Sequence, residues 1–149
     1  MMVGSPLLLS SDMSGRSLPR ISMHHDPANQ AYQESFLQDV IDRWPNILPV
    51  CDFYPAVTGV CSLGREIPTL IGGGEGFIDN LLVTDDSHLV IVETKLWRNP
   101  EAMRDVIVQT LQYGMAITQM SLGEFESRVR RGDPKSSSRS GRNCSTTCQ

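Results

Sequence analysis

The sequence lacks any long apolar run. Its longest uninterrupted aliphatic stretches are a few residues, such as Leu7-Leu8-Leu9, whereas a helix that crosses a bilayer needs about 20. No basic residue precedes that run, which is also too short for the core of a secretory signal. Cysteine is sparse, and Cys51, Cys61, Cys144 and Cys148 match no zinc-ligand spacing. The expected state is therefore free thiols in a reducing, cytoplasmic setting. The pair His24-His25 has no acidic or cysteine partner beside it, so it reads as solvated surface. The glycine run Gly72-Gly73-Gly74-Glu75-Gly76 is followed by no Gly-Lys-Ser/Thr, which excludes a phosphate loop and leaves a sharp bend. Residues 132–149 contain no Val, Ile, Leu, Met or aromatic residue, and a segment that can bury nothing is expected to be disordered.

What is present is a chain of 149 residues with 40% hydrophobic content, enough for one globular domain. Its charge is uneven. Residues 128–149 carry six basic side chains against the single Asp133, a local +5; with the whole chain at −4, the first 127 residues carry −9. Such a body is no simple electrostatic DNA binder, which would show a basic stripe. It is compatible with carboxylates gathered around a metal. The basic tail could add nonspecific attraction to phosphate.

The pattern divides the chain into a flexible leader (1–25), a folded domain (26–131) and a basic tail (132–149). Asp26-Pro27 can open a first helix, although the start could equally lie a few residues later. Phe36, Leu37, Val40, Ile41 and Trp44 recur at helical spacing, with Gln38, Asp39, Asp42 and Arg43 on the opposite side. Pro45 ends it. One irregular strand is expected within residues 47–71. Phe77–Thr84 and Leu89–Leu96 are dense in Val, Ile and Leu, as strands covered on both faces are. The turn residues Asp85-Asp86-Ser87-His88 join them into a hairpin. Asn99-Pro100 opens a second helix running through Gly114. Ser121-x-x-Glu124 fits the capping box of a third.

Three ionisable residues interrupt the apolar hairpin: Asp79 in its first strand, Glu93 and Lys95 in its second. Buried strands rarely accept charge without a partner or a metal. Glu93 and Lys95 share a face, with Thr94 opposite. If residue 79 opposes 93, the hairpin centres on Asp86 with a loop of three or five residues, and all three charges lie together; a slip of one residue would turn Asp79 away. Two carboxylates at cross-strand distance repel, and a hard divalent cation between them reverses the sign. Lys95 could then orient or help deprotonate a water, or stabilise an oxyanion. On the second helix Asp105, Gln109 and Tyr113 form one polar stripe at i, i+4, i+8. Ala102, Val106, Ile107 and Leu111 are left to pack on the sheet. Glu34 on the first helix could supply a third carboxylate. The competing reading of Asp79, Glu93 and Lys95 is a structural ion pair at a sheet edge.

At these positions the chain resembles the PD-(D/E)XK nuclease superfamily. The match is Gly76-Phe77-Ile78-Asp79, 13 intervening residues, then Glu93-Thr94-Lys95. Gln109-x-x-x-Tyr113 is similar to the downstream helix motif of its exonuclease-like branches, and Glu34 to the acidic residue of its first core helix. The stretch IDNLLV…LVIVETKLWRNPEA also looks like the nuclease-like domain of a group of bacterial proteins. The resemblance covers roughly residues 30–115 and implies an α/β fold, a restriction-endonuclease-like mixed sheet flanked by helices. The last core strand is lacking or truncated, because no strand follows Tyr113 before the polar tail. It further implies a Mg²⁺-dependent deoxyribonuclease, endo or exo, with Mn²⁺ able to replace Mg²⁺. Asp79, Glu93 and the Thr94 carbonyl would bind the ion, and Glu34 would assist. Lys95 would position the attacking water, and Gln109 and Tyr113 would contact substrate or hold the site's shape. DNA is the implied partner, homodimers are common in such families, and a membrane is not involved. The alternative is a catalytically silent module that keeps the fold and binds nucleic acid or a protein, as a truncated fragment would.

Overall fold

The computed structural model describes residues 7–12, 14–17, 33–95, 100–132 and 145–146. The chain divides into two units, Met1–Tyr32 and Gln33–Gln149. In the first, β1 (Leu7–Leu9) pairs antiparallel with β2 (Gly15–Ser17). The turn between them is closed by the Asp12 carboxylate, which accepts from the Ser14 amide at 2.9 Å and the Ser14 hydroxyl at 2.6 Å. A segment expected to lack regular structure thus contains a short hairpin. His24-His25 and the Asp26-Pro27 helix start lie outside the described residues.

The second unit carries α1 (Glu34–Arg43), a 3-10 turn (Pro45–Ile47) and the short α2 (Val50–Phe53). A sheet of β3 (Gly59–Ile71), β4 (Gly74–Thr84) and β5 (Leu89–Val92) follows, then α3 (Pro100–Thr118) and α4 (Leu122–Arg131). A two-residue strand, β6 (Ser145–Thr146), adds to the free edge of β3. The sheet order is β5-β4-β3-β6. Every described pairing is antiparallel, which corrects the expected mixed sheet. The connections explain it. Gly72 and Gly73, with φ of +57° and +85°, close a two-residue turn between paired Ile71 and Gly74, the left-handed geometry that glycine adopts most readily. So short a link allows only an antiparallel return. Within the segment expected to be disordered, Ser145–Thr146 pair with Val60 and Gly59. Backbone hydrogen bonding at a sheet edge needs no aliphatic side chain.

The sheet is covered on both faces, and the adjacent Leu81 and Leu82 are both fully buried. Leu82 joins Val60, Ile41, Val50 and Val57 in one cluster, under α1 and α2. Leu81 joins Ile67, Ile78 and Tyr113 in another, against which Ile91, Ile117, Phe125 and Val129 pack from β5, α3 and α4. The side of α1 expected to face solvent meets the sheet with polar contacts. Gln38 is buried, and its backbone carbonyl accepts from Asn80 Nδ2 at 3.0 Å. Asp39 pairs with Arg65, and Asp42 accepts from Ser62 Oγ at 2.6 Å. Hydrophobic spacing cannot see this, because the partners are polar groups on a remote strand.

Helix α3 is rotated from its expected orientation. Tyr113 is buried, whereas Ile107, Leu111 and Met115 are exposed. Residues two apart on a helix are about 200° apart around its axis, so seating Tyr113 on the sheet turns Leu111 and Met115 outward. A Cβ at Gly76 would collide with the Ile71 side chain but meet Tyr113 only at ordinary contact distance, 3.5 Å. Ser121 caps α4 as expected, accepting from the Glu124 amide at 3.3 Å. The Glu124 carboxylate holds Arg128 at 2.7 Å.

Both described cysteines, Cys51 and Cys61, are disulfide-bonded. This overturns the expectation of free thiols and removes the ground for a reducing compartment. Sequence spacing is blind to such bonds, which depend on tertiary proximity. Among the described residues no helix is long and apolar enough to cross a membrane.

Candidate functional site

The register of β4 and β5 decides whether the charged residues meet. Its pairs run from Val83↔Leu89 to Asn80↔Val92. The paired ladder ends at Asn80↔Val92, one residue short of Asp79 and Glu93. The loop is the three-residue form: the Thr84 amide donates to the His88 carbonyl at 2.9 Å, and Ser87 takes the left-handed conformation (φ +72°) that such loops need at their last position.

Strand β5 ends at Val92, and Glu93-Thr94-Lys95 continue beyond it. There the Asp79 side chain takes over from the strand ladder. Its Oδ2 accepts both the Thr94 amide, at 2.7 Å, and the Thr94 hydroxyl, at 2.8 Å. Thr94 was expected to face away and offer only its carbonyl; instead its N–H and hydroxyl fix the aspartate. Both bonds go to one oxygen, so Oδ1 keeps its capacity to accept.

Glu93 is the most confined charge of the site. Its side chain is 2% exposed, and Oε1 lies 2.9 Å from Lys95 Nζ. Its other oxygen, Oε2, is buried without a hydrogen-bond partner, a costly arrangement for an ionised group. Burial pushes the Glu93 carboxyl above the usual glutamate range. The charges of Asp79 and Glu34 push the same way, against the hydrogen bond and charge of Lys95. Burial would lower the Lys95 ammonium, but Glu93, with Glu34 and Asp79 behind it, outweighs burial and holds it above its ordinary value. Lys95 is therefore a firm cation at neutral pH, a donor and not a base.

The structure brings Glu34, the first residue of α1, within electrostatic reach of both Glu93 and Lys95. Tyr113 also belongs to this neighbourhood. Burial raises its phenol, and so do the charges of Glu93 and Asp79, partly offset by Lys95. Gln109, one turn earlier on α3, has its Oε1 buried without a partner. Asp105 is exposed, so the expected stripe runs from solvent at Asp105 into the core at Tyr113.

One further acid escaped the sequence reading. Glu66 on β3 also acts on the Tyr113 phenol. It lies between the paired positions Arg65↔Asn80 and Ile67↔Ile78. Its φ of +51° is left-handed, a conformation that costs a non-glycine residue about 1–2 kcal/mol. The only local sign of it was a charged residue within a strand-like stretch.

A hard divalent cation fits this donor set in kind. Mg²⁺ is commonly held by one or two carboxylates, with waters and a substrate phosphate completing its shell. Asp79 Oδ1 and the orphaned Glu93 Oε2 are two such donors. Among the described residues no group of three or more His, Cys, Asp or Glu side chains could hold a metal by itself, which is unlike a closed structural zinc site. No family model, curated protein or solved structure matches the chain.

Proposed function

We propose that the chain is a metal-dependent nuclease of the PD-(D/E)XK type that hydrolyses DNA phosphodiester bonds. The observation that carries this reading is the buried Glu93 Oε2, which has no protein partner beside an aspartate whose second oxygen is already fixed by Thr94. Charged oxygens left in that state are poor structural material and suitable cation ligands. Asp79, Glu93 and the Thr94 carbonyl would hold Mg²⁺, or Mn²⁺ in its place. The bound ion would supply charge neutralisation at the scissile phosphate and a water of lowered pKa. Lys95, held as a cation, orients that water or donates to a phosphate oxygen. Glu34 adds negative charge from the start of α1. Gln109 and Tyr113 hold the sheet-facing side of α3 against the site, where the Gln109 oxygen can accept from substrate or water.

A second reading has its own observation. Ile107, Val108, Leu111 and Met115 expose an apolar stripe along α3, and such patches commonly mark binding surfaces. A silent module that binds nucleic acid or a protein would keep the fold without turnover. A plasmid-nicking assay with Mg²⁺ or Mn²⁺ separates the two. Cleavage by the parent chain that disappears in Asp79→Ala and Lys95→Ala supports the nuclease. Equal behaviour of all three, with DNA still bound, supports the silent module.

A further inference from the structure

Helix α3 is apolar on two sides. Toward the sheet it presents the buried Tyr113, with Ile117 packed against the same core. On the other side Ile107, Leu111 and Met115 recur at i, i+4, i+8 and are 56%, 63% and 63% exposed, with Val108 beside them at 53%. Leu111 lies about 200° around the helix axis from Tyr113, so seating one side on the sheet leaves the other bare. Four large apolar side chains in a row form a contiguous patch, unlike the scattered apolar residues that any surface carries. The charge around the stripe narrows what covers it. Arg104 continues this face toward the helix start and Thr118 toward its end, both exposed, whereas Asp105 falls about 120° around the axis from Leu111. One basic residue is too little for a nucleic-acid strand or an anionic membrane surface, and no acid on this face repels a second acidic body. The stripe is also symmetric about its own middle. Ile107 and Met115 each stand four residues from Leu111, and Arg104 and Thr118 each stand seven.

We propose that this face of α3 is a homodimer interface, in which a second copy of the chain packs its own α3 antiparallel across a two-fold axis at Leu111. A two-fold contact requires a surface that complements itself, and the symmetric spacing supplies one. Leu111 meets the partner's Leu111, Ile107 meets the partner's Met115, and Arg104 meets the partner's Thr118. The two copies of Arg104 then stand about 21 Å apart, beyond a Debye length at physiological salt; a parallel pair would set them side by side. One helix pair is a small contact beside a stable interface of ~1,200–2,000 Å², so the dimer forms and dissociates with concentration. Nothing in it depends on a bound metal, because it uses the side of α3 opposite Tyr113.

The test is sedimentation velocity of the full chain from micromolar to near-millimolar concentration, with a thermal melt of each variant. The parent should pass from monomer to dimer as concentration rises. Leu111→Glu and Leu111→Lys each set like charges against each other at the two-fold axis, and each should associate at least about tenfold more weakly. An equimolar mixture of the two should dimerise again, because opposite charges then meet there. Phe53→Glu, at an exposed apolar position outside α3, should associate as the parent does. Leu111 is mostly exposed, so both of its variants should melt near the parent; if either melts early, Ile107→Gln and Met115→Gln take its place and should weaken association in the same way. A parent that stays monomeric throughout overturns the proposal. A dimer that survives both Leu111 variants, or that Phe53→Glu dissolves, places the contact elsewhere and overturns it too. Folded Leu111→Glu and Leu111→Lys that remain monomeric when mixed overturn the two-fold axis at Leu111, and the proposal with it.

Discussion

The two ends of the β4–β5 hairpin treat their acids in opposite ways. At the turn, Asp85 accepts from the Thr58 amide and hydroxyl. Asp86 accepts from the Thr84 hydroxyl and pairs with His88 at 2.9 Å. Both carboxyls are held below the usual aspartate range, Asp85 chiefly by its bond to Thr58 and Asp86 by its bond to Thr84. At the other end Glu93 is pushed above its usual range by burial and keeps an oxygen without a partner. The turn acids are satisfied by hydrogen bonds, Asp85 from the distant Thr58 and Asp86 from the nearby Thr84, and serve the fold. Glu93 is left with one oxygen short of a partner, and a group kept in that condition is a candidate for function.

Breaking the site end should have the largest effect. Asp79→Ala removes a proposed ion ligand and the anchor of Thr94 together, and cation-dependent nicking should fall by about 10²-fold or more. Asp85→Ala, six residues along the chain from Asp79, should leave nicking unchanged in the same assay. Next in size is Lys95→Ala, which leaves Glu93 buried and unpaired. The variant should lose about 1–2 kcal/mol in urea unfolding, less than a fully buried pair because the lysine is partly exposed. Glu93→Gln in the Lys95→Ala background should recover part of that loss.

Acidification sharpens the contrast through the sign of each shift. Asp85 and Asp86 have lowered carboxyls, so their contribution is present above the unfolded aspartate value and is lost as pH falls through the lower folded value. Glu93 has a raised carboxyl, so folding favours its protonated form. Its burden on stability grows as pH rises from the unfolded glutamate value through the higher folded one. Carboxyl titrations by carbon NMR should place Glu93 above ordinary glutamate, and Asp85 and Asp86 below ordinary aspartate. The smallest effect belongs to Ser87→Gly, which relieves a left-handed residue in an exposed loop and should raise the melting temperature slightly with no change at the site.

The hairpin was legible because its period, turn residues and interrupting charges are all local. From them the sequence read a hairpin across residues 77–96, and the observed β4–β5 pairing runs through residues 80–83 and 89–92. The cap of α4 at Ser121 was legible for the same reason. What escaped depends on distant partners. The rotation of α3 goes with Tyr113 packing in the core beside Ile67, Ile78 and Leu81, and the burial of Gln38 with a bond from Asn80 to its carbonyl. The disulfide bonding of Cys51 and Cys61 leaves no mark in sequence spacing. The left-handed backbone of Glu66 was missed because a one-dimensional pattern does not display a positive φ.

The central claim is that the under-partnered end of the hairpin gathers a divalent cation. The most direct measurement follows the side-chain carboxyl carbon of Glu93 by NMR while Mg²⁺ is added, with Asp85 and Asp86 as internal references. A saturable shift at Glu93, a fall in its raised pKa and still signals at the two turn aspartates are the expected result. A Glu93 signal that ignores Mg²⁺, or moves only as much as those of Asp85 and Asp86, would contradict the claim.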